Sequence, residues 1–599
     1  MQEPTVLLTI LSHMAQKPEV KFDKLFQKLY NSELWLMAYQ SIAPKPGNMT
    51  AGVDGKTIDG TGMEMIEALI AELKASTYRP TPVRRVYIPK ANGKMRPLGI
   101  PSFRDKLLQT VIKLILEAIY EPTFSEASHG FRPGRSCHTA LTSVKRMTGI
   151  RWWVEGDIKG FFDNLNHDTL LRILGKRITD QRFLHLIEQL LKAGYIEDWQ
   201  FNKTYSGAPQ GGNLSPILSN IYLDELDQAM AAKITAFNRG EVRRPRVAYK
   251  AVIGQKFKAK KKAQRTGDWT RYKALRKKLL SMEAADPQDP EYRRMCYVRY
   301  ADDFLVGIIG SKADATELKT WLTEYLRTDL QLELSAEKTL ITNAKERVRF
   351  LGYDIQKGTG KRILRYATKQ GVVTRRTCTR TLELLMPRDK VQAFMQAYGN
   401  PNGWKGERRP FLLHLSELEI LMTYNAEIRG FLGYYSLADN LSMVGGRIMW
   451  MTTTSFFCTL ADKRQSSLMK VAKSLKQGPN QYAIADQKAD EKTKYYYLVS
   501  STKQLHREAV TYGQVDQKPD VWRYRVSTEL GERLSANRCE WCGSQEGPFE
   551  VHHIRKLKDL KGKLAWEVQM MARRRKTMVL CKQCHVDLHA GRLSEKKKY

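Results

Sequence analysis

Two periods organise the apolar positions of this chain. Strand-length apolar runs dominate its middle: Cys296-Tyr297-Val298 and Phe304-Leu305-Val306 flank Tyr300-Ala301-Asp302-Asp303, a pattern that predicts strand, tight carboxylate turn, strand. The run Arg151-Trp152-Trp153-Val154-Glu155-Gly156 predicts a further strand with Asp157 at its end. Lys90 and Arg96 flank Ala91-Asn92-Gly93, a turn that predicts a basic hairpin. Helical spacing governs elsewhere. Leu214-Ser215-Pro216-Ile217-Leu218-Ser219-Asn220-Ile221-Tyr222 predicts a helix supporting the strands from below. Residues 20–75 read as helical, with Phe22, Leu25, Phe26 and Leu29 on one face and a turn marked by Gly52-Val53-Asp54-Gly55-Lys56-Thr57. Residues 361 to about 450 also read as helical, with Leu418, Leu421, Met422, Ile428, Phe431, Leu432 and Tyr435 on recurring faces. Gly478-Pro479-Asn480 is the best local linker, and no internal repeat or low-complexity tract is evident.

The carboxylates change the picture. An isolated Asp-Asp pair usually just opens a loop. Here Asp302 and Asp303 sit between two strands, and Asp157 ends a third, so three hard oxygen ligands can converge on one sheet edge. Such a set suits Mg²⁺, and two such ions roughly 3.5–4 Å apart can activate a 3′-hydroxyl and stabilise a pyrophosphate leaving group. Lys90 and Arg96 on their hairpin are then placed to neutralise an incoming triphosphate, although a solvated basic hairpin would look the same. Gln210-Gly211-Gly212 permits close approach of backbone to a nucleic-acid strand, as would an ordinary turn.

Composition narrows the class. A chain of 599 residues exceeds one hydrophobic core and divides into several domains. Lys and Arg number 99 against 63 Asp and Glu, a formal charge of +36, which calls for a polyanion such as nucleic acid. A membrane surface is the alternative polyanion, but no stretch approaches the roughly 18–20 apolar residues needed to span a bilayer, and no membrane partner is expected. The start Met1-Gln2-Glu3-Pro4 lacks a secretory signal, so a cytoplasmic location is expected. Residues 238–294 carry basic runs including Lys256-Phe257-Lys258-Ala259-Lys260-Lys261-Lys262 and Arg276-Lys277-Lys278; a solvated face is the plain reading and an RNA-binding insertion the favoured one. Of eight cysteines, Cys137, Cys296, Cys378 and Cys458 are scattered and read as free thiols. Cys539-x-x-Cys542 and Cys581-x-x-Cys584 read as a structural Zn²⁺ site. His552-His553 and His585-x-x-x-His589 accompany that tetrad, as extra zinc ligands or as nuclease chemistry.

These motifs, in this order, resemble the reverse transcriptase/maturases encoded by group II introns. Besides Tyr300-Ala301-Asp302-Asp303 and Gly156-Asp157-Ile158-Lys159-Gly160-Phe161-Phe162-Asp163, the resemblance covers Arg96-Pro97-Leu98-Gly99-Ile100-Pro101, His129-Gly130-Phe131-Arg132-Pro133-Gly134-Arg135-Ser136-Cys137 and Gly207-Ala208-Pro209-Gln210-Gly211-Gly212-Asn213-Leu214-Ser215-Pro216. It continues through Leu334-Ser335-Ala336-Glu337-Lys338-Thr339 and Arg349-Phe350-Leu351-Gly352-Tyr353, so matching blocks run from about residue 80 to 355. Arg429-Gly430-Phe431-Leu432-Gly433-Tyr434-Tyr435 is similar to the thumb region, domain X, of the maturases, and the His/Cys tail resembles an HNH endonuclease.

The resemblance implies a multidomain α+β protein: a right-hand polymerase with an antiparallel palm sheet and helical thumb, and a small zinc-bound ββα-metal module. The implied divisions are an N-terminal extension (1–75), fingers and palm (76–360), thumb (361–450), a DNA-binding region (451–535) and the endonuclease (536–599). It implies that Asp157, Asp302 and Asp303 hold Mg²⁺, that Phe162 excludes a 2′-hydroxyl, and that Lys90, Arg96 and Gln210 contact nucleotide or template. In the tail it implies His553 as general base, with His552, His585 and His589 on the nuclease cation, again Mg²⁺. One departure stands out: Lys576 occupies the place where many HNH modules carry an Asn that orients the base. The implied partners are intron RNA in a lariat ribonucleoprotein, target DNA and dNTPs, and a homodimer is compatible. A splicing-only maturase is the alternative, which loss of a palm Asp or of His553 would favour; all four are present. Retron-type and diversity-generating reverse transcriptases lack the combination of thumb motif and HNH tail.

Overall fold

In the computed structural model of the protein, residues 2–89, 93, 95–197, 200–202, 207, 212–286, 289–358, 363–368, 371–376, 381–486, 493–504, 529–573 and 575–593 are described. Its central sheet has four antiparallel strands in the order Arg294–Tyr300, Asp303–Ile309, Trp152–Asp157, Ile341–Asn343. The apolar runs form strands because Val298, Leu305, Val306 and Val154 have no exposed surface and fill the space between sheet and helices. The expected helix spans Ser215–Phe237 and packs under the sheet, presenting Leu218, Ile221, Tyr222 and Leu226 to the core.

A buried ion pair lies inside that apolar layer. Arg299, with no accessible surface, donates from Nη2 and Nε to Asp227 at 2.6 and 2.8 Å. Its remaining donors reach the Ala301 carbonyl at 2.9 Å and the Ser128 hydroxyl at 2.8 Å. Tyr297 also donates to Asp227, at 2.8 Å. Ala301 itself is left-handed (φ 56°), so the guanidinium braces the strained residue that turns the chain into Asp302-Asp303. Gly130 presses on the same turn from outside, where a Cβ would lie 2.3 Å from the Ala301 nitrogen.

The sequence-based expectations held unevenly. The basic hairpin forms from Val83–Pro89 and Met95–Ile100. Lys90 lies outside the described residues, as do Gln210 and Cys378. Residues 20–75 are not continuously helical: Leu25–Lys28, Ser32–Ile42 and Met63–Lys74 are helices, but between the last two runs a loop relaxed by Gly55 (φ 69°) and Gly60 (φ 80°), ending in the strand Thr61–Gly62. Beyond 361 the chain first makes strands, Ile363–Thr368, Gly371–Arg376 and Leu382–Leu385, where β-branched runs such as Val372-Val373-Thr374 outweigh helical spacing. Helices Arg388–Gln396, Glu417–Tyr434 and Leu441–Lys463 follow, and Met422 faces solvent rather than the core. Gly478-Pro479-Asn480 is a hairpin turn between strands Lys476–Gly478 and Gln481–Asp486, not a linker. The basic stretch folds as a helical hairpin, Val247–Thr266 and Thr270–Ser281, closed at its neck by bridges Arg239↔Arg293 and Pro245↔Ala285. Among the described residues no helix is long and apolar enough to cross a membrane.

The C-terminal module does not stand apart. Strands Phe549–His553 and Thr577–Cys581 pair antiparallel and lead into helix Lys582–His589. Thr61–Gly62 adds a third strand to that sheet, pairing Thr61 with Val551 and Gly62 with Glu550. A Cβ at Gly62 would lie 2.2 Å from the Phe549 carbonyl oxygen, so glycine permits this approach. Helix Glu529–Ser535 lies against Ser32–Ile42, and Leu534, Trp541, Val551 and Val579 join the same core as Leu34, Trp35 and Tyr39.

Replacing Asp227 with Ala would leave a buried, unpaired guanidinium, which costs about 3–5 kcal/mol. Hydrogen exchange across Arg294–Tyr300 and Asp303–Ile309 should accelerate accordingly, and Asp227→Ala/Arg299→Met should recover much of the protection. Unchanged exchange in the single variant would show that the pair is not what holds the turn.

Candidate functional site

The turn places the carboxylates. Strand pairing sets Asp303 directly opposite Asp157, so their side chains meet across one face, with Cβ atoms about 4.5–5.5 Å apart. Asp302 follows Ala301 on the turn and feels the charge of Asp157. Lys338 Nζ lies 2.9 Å from Asp157 Oδ2, and the Ser335 N–H donates to the Asp157 carbonyl at 2.8 Å, which ties the Leu334–Thr339 segment to the cluster. Burial first, then the charges of Asp302 and Asp157, push the Asp303 carboxyl up to about 7, with Lys338 opposing. Because Asp303 keeps surface open to water, the two like charges are the firmer part of that cause. Burial also raises Asp302, against the pull of Arg96 and Lys338. Arg96 is exposed on its strand, opposite Ile88. Phe162 is half-buried on helix Phe161–Asn164 just beyond Asp157, edge-on to Phe131 at 6.3 Å between ring centroids.

Among the described residues two tighter clusters could hold a metal ion, with ligand atoms all within 4.8 Å of one another. The first is Cys539, Cys542, Cys581 and Cys584. The Cys542 and Cys581 sulfurs are 3.8 Å apart, the edge of a tetrahedron with Zn–S bonds of about 2.3 Å. None of the four is in a disulfide.

The second joins His552, His585 and His589 with Asp59 of the N-terminal loop. His589 Nε2 is 2.7 Å from Asp59 Oδ2, His585 Nε2 is 3.4 Å from the same oxygen, and His552 Nδ1 is 3.2 Å from Oδ1. His552 is buried, and that last contact lacks hydrogen-bond geometry, so neither of its ring nitrogens has a partner. A buried imidazole whose one nitrogen lone pair has no hydrogen-bond donor facing it fits a metal ligand. Glu550 accepts from His585 Nδ1 at 2.5 Å, the outer hydrogen bond that turns Nε2 toward Asp59 and His589. Burial would raise the Asp59 carboxyl, but the imidazoles of His552 and His585 beside it and the hydrogen bond from the His553 N–H hold it far below the carboxylate range.

His553 lies outside this cluster. Its Nε2 shares a 2.6 Å hydrogen bond with the Tyr39 hydroxyl, and its backbone N–H donates to Asp59 Oδ1 at 2.6 Å. Burial lowers the imidazole to about 4, with Asp59 opposing, so the ring is neutral near pH 7. Tyr39 therefore orients the ring where an Asn was missing from the sequence; Lys576 contributes its backbone carbonyl, accepting from the Ile554 N–H at 3.0 Å. Beside His553 opens a cleft of about 340 Å³ whose walls include Lys45, Arg533, Arg555, Arg575 and Lys576.

Comparison with known proteins now decides the family. Models for reverse transcriptase (RNA-dependent DNA polymerase) match residues 88–355, type II intron maturase residues 385–512, and an AI2M/AI1M-like HNH endonuclease residues 539–585. The group II intron-encoded protein LtrA of Lactococcus lactis is 38% identical, over 96% of this chain and 98% of that protein. The chain belongs to the group II intron-encoded proteins. The "Uncharacterized 91 kDa protein in cob intron" of Schizosaccharomyces pombe is 33% identical over 96% of this chain and 71% of its own length. The "Putative COX1/OXI3 intron 2 protein" of Saccharomyces cerevisiae is 30% identical over 97% and 68%. As a group II intron-encoded protein the chain is multifunctional: an RNA-directed DNA polymerase, a maturase and an HNH endonuclease.

Sequence reasoning missed Arg299, Asp227, Tyr39, Glu550 and Asp59. Arg299 carried one legible signal, a cation inside an apolar strand run. Asp59 carried none, because its partners lie at the other end of the chain.

Any cation taken by the Asp157/Asp303 pair must displace the proton that Asp303 holds up to about 7. Below that pH the proton competes, so Mn²⁺ or Mg²⁺ affinity should rise about tenfold per pH unit toward neutrality and level off above it, as one-proton competition requires. Titration of the cation dependence of primer extension from pH 6 to 8 checks this; a flat profile contradicts it.

Proposed function

We propose that the sheet end bearing Asp157, Asp302 and Asp303 is the polymerase centre of a right-hand fold, with fingers and palm within 76–360 and a helical thumb over 361–450. What supports this reading is the backbone pairing of Asp157 against Asp303, two carboxylates from strands far apart in sequence sharing one position. Mg²⁺ bound there would lower the barrier by activating the primer 3′-hydroxyl and stabilising the leaving pyrophosphate. The protein's own contribution is placement. The Ala301 turn, braced by Arg299, fixes where the carboxylates stand, and Arg96 and Lys90 bring positive charge to the triphosphate. Phe162, packed against Phe161 and Phe131, offers a ring beside the nucleotide sugar that would exclude a 2′-hydroxyl. Gln210 and its glycines contact template.

In the C-terminal module, Cys539, Cys542, Cys581 and Cys584 hold a structural Zn²⁺ that pins the end of one strand to the start of the helix. His552, His585 and His589 hold the nuclease cation, which would polarise the scissile phosphate. With Nε2 of His553 occupied by Tyr39, Nδ1 is the nitrogen left to take a proton from the attacking water. The basic walls of the adjoining cleft suit a DNA backbone. The partners that follow are intron RNA, bound as a lariat ribonucleoprotein and helped to splice, target DNA, and dNTPs, with the cytoplasm as the place of action. The helical hairpin at 247–281 and residues 451–535 supply further basic surface for RNA and DNA.

Asp302→Ala should abolish Mg²⁺-dependent primer extension on an RNA template, a loss of at least about a thousandfold for several kcal/mol of lost cation binding. Extension equal to wild type would refute the assignment. Phe162→Ala should leave dNTP extension measurable while raising ribonucleotide use about tenfold or more, the scale of one lost steric contact; an unchanged ratio would remove Phe162 from the sugar site.

A further inference from the structure

The nuclease cation site, read as above, would be expected to leave room for the scissile phosphate beside its three histidines, because catalytic metal sites keep a position for water or substrate. Here a fourth protein donor enters from another part of the chain. Asp59 reaches in from the loop before Thr61–Gly62 and sets Oδ2 2.7 Å from His589 Nε2 and 3.4 Å from His585 Nε2, with Oδ1 3.2 Å from His552 Nδ1. All four donor atoms lie within 4.8 Å of one another. His589 hydrogen-bonds to Asp59 and His585, but His552 is buried with both ring nitrogens outside that network, which marks the cluster as built for a ligand.

Two further contacts hold Asp59 in place. Its Oδ1 accepts the His553 N–H at 2.6 Å, and the Gly60 N–H donates to the Val551 carbonyl at 3.1 Å, continuing the strand pairing of Thr61 with Val551. The loop is thus registered against the very strand that carries His552 and His553. A Cβ at Gly60 would lie 3.5 Å from His585 Cε1, so the backbone passes close to the imidazoles.

We propose that Asp59 is a fourth protein ligand of the nuclease metal centre and occupies the position of the scissile phosphate, so that the resting protein carries an inactive nuclease locked to its N-terminal segment, which opens when a DNA phosphate replaces the Asp59 carboxylate. The exchange is chemically even. One anionic oxygen ligand leaves and another arrives, and the cations Lys45, Arg555 and Lys576 lining the adjoining cleft bring DNA phosphates to the site of exchange. A protein that must wait for the correct target before cutting a strand gains from such closure, since stray duplex has to compete with a ligand fixed at high effective concentration.

This inference rests on the assignment of His552, His585 and His589 as nuclease ligands, and its test separates the two. Full-length protein carrying Asp302→Asn and Asp303→Asn, to silence the polymerase cations, is titrated with Mn²⁺ and followed by electron paramagnetic resonance; Mn²⁺ prefers oxygen and imidazole donors and leaves the cysteine tetrad alone. Asp59→Asn, which keeps the shape of the side chain, should weaken the site about tenfold or more, and Asp59→Glu should restore most of the affinity. The same Asp59→Asn change should raise nicking of duplex lacking the target sequence severalfold. Affinity weakened by His589→Ala but untouched by Asp59→Asn overturns the closure while leaving the nuclease site standing. Affinity untouched by His589→Ala overturns the nuclease site itself. Weakened affinity with nicking of stray duplex unchanged or lower also overturns the closure, for Asp59 would then serve the active site instead of blocking it.

Discussion

A guanidinium with no exposed surface decides where the Asp302-Asp303 turn stands. Arg299 satisfies its donors on Asp227, Ser128, Asn220 and the Ala301 carbonyl, within a layer otherwise made of Val, Leu, Ile and Tyr side chains. A buried ion pair is seldom a large net gain over packed hydrocarbon. Its value here is geometric: it ties the helix Ser215–Phe237, the segment around Ser128 and the strand Arg294–Tyr300 to one left-handed residue. The Asp302-Asp303 turn is thereby held at a fixed height above Asp157. The family blocks around His129 and Asn220 make sense in these terms. Gly130 is small because the turn passes within contact of it, and Asn220 donates to the Gly130 carbonyl at 2.8 Å.

What was legible in the sequence was what local periodicity or chemistry encodes. Apolar runs around Asp302-Asp303 gave the strands, helical spacing after Leu214 gave the supporting helix, and paired cysteines gave the sulfur tetrahedron, because each signal lies within a few residues of its consequence. The family resemblance then supplied order and activity. Illegible were features whose cause lies elsewhere in the chain. Asp157 and Asp303 face each other only through register, and Tyr39 meets His553 only because one core receives both termini. The helical reading of 20–75 failed for a related reason: glycines at 55 and 60, neutral locally, shape a loop whose purpose appears only once the C-terminal strands are beside it.

The docking of that C-terminal module changes how the polypeptide divides. Strand Thr61–Gly62 extends the nuclease sheet, helix Glu529–Ser535 approaches Ser32–Ile42 so closely that a Cβ on Gly531 would overlap the Gln40 amide, and aromatic and aliphatic side chains from both ends fill one core. The nuclease is therefore packed on the body that carries the polymerase, rather than tethered to it by a linker alone. A cut made by one centre and an extension made by the other would then take place on modules that share one core.

Both centres hold an internal counter-charge where a ligand of the same sign would sit, and the two differ in strength. At the polymerase centre the ammonium of Lys338 rests 2.9 Å from Asp157, in the place a cation would take. Lys338 is two-thirds exposed, and an ion pair so open to water is worth only about 0–1 kcal/mol, so a cation held by these carboxylates would displace it readily. At the nuclease centre the carboxylate of Asp59 stands in the place a phosphate would take. It is mostly buried, faces three imidazoles and accepts a backbone N–H, so removing it breaks several charge-assisted contacts at once. With the two sites acting as proposed, the asymmetry would give one chain an order of operations: the copying centre would be ready as soon as cation and nucleotide arrive, whereas the cutting centre would yield only to a phosphate held by enough of the surrounding basic surface to outcompete Asp59.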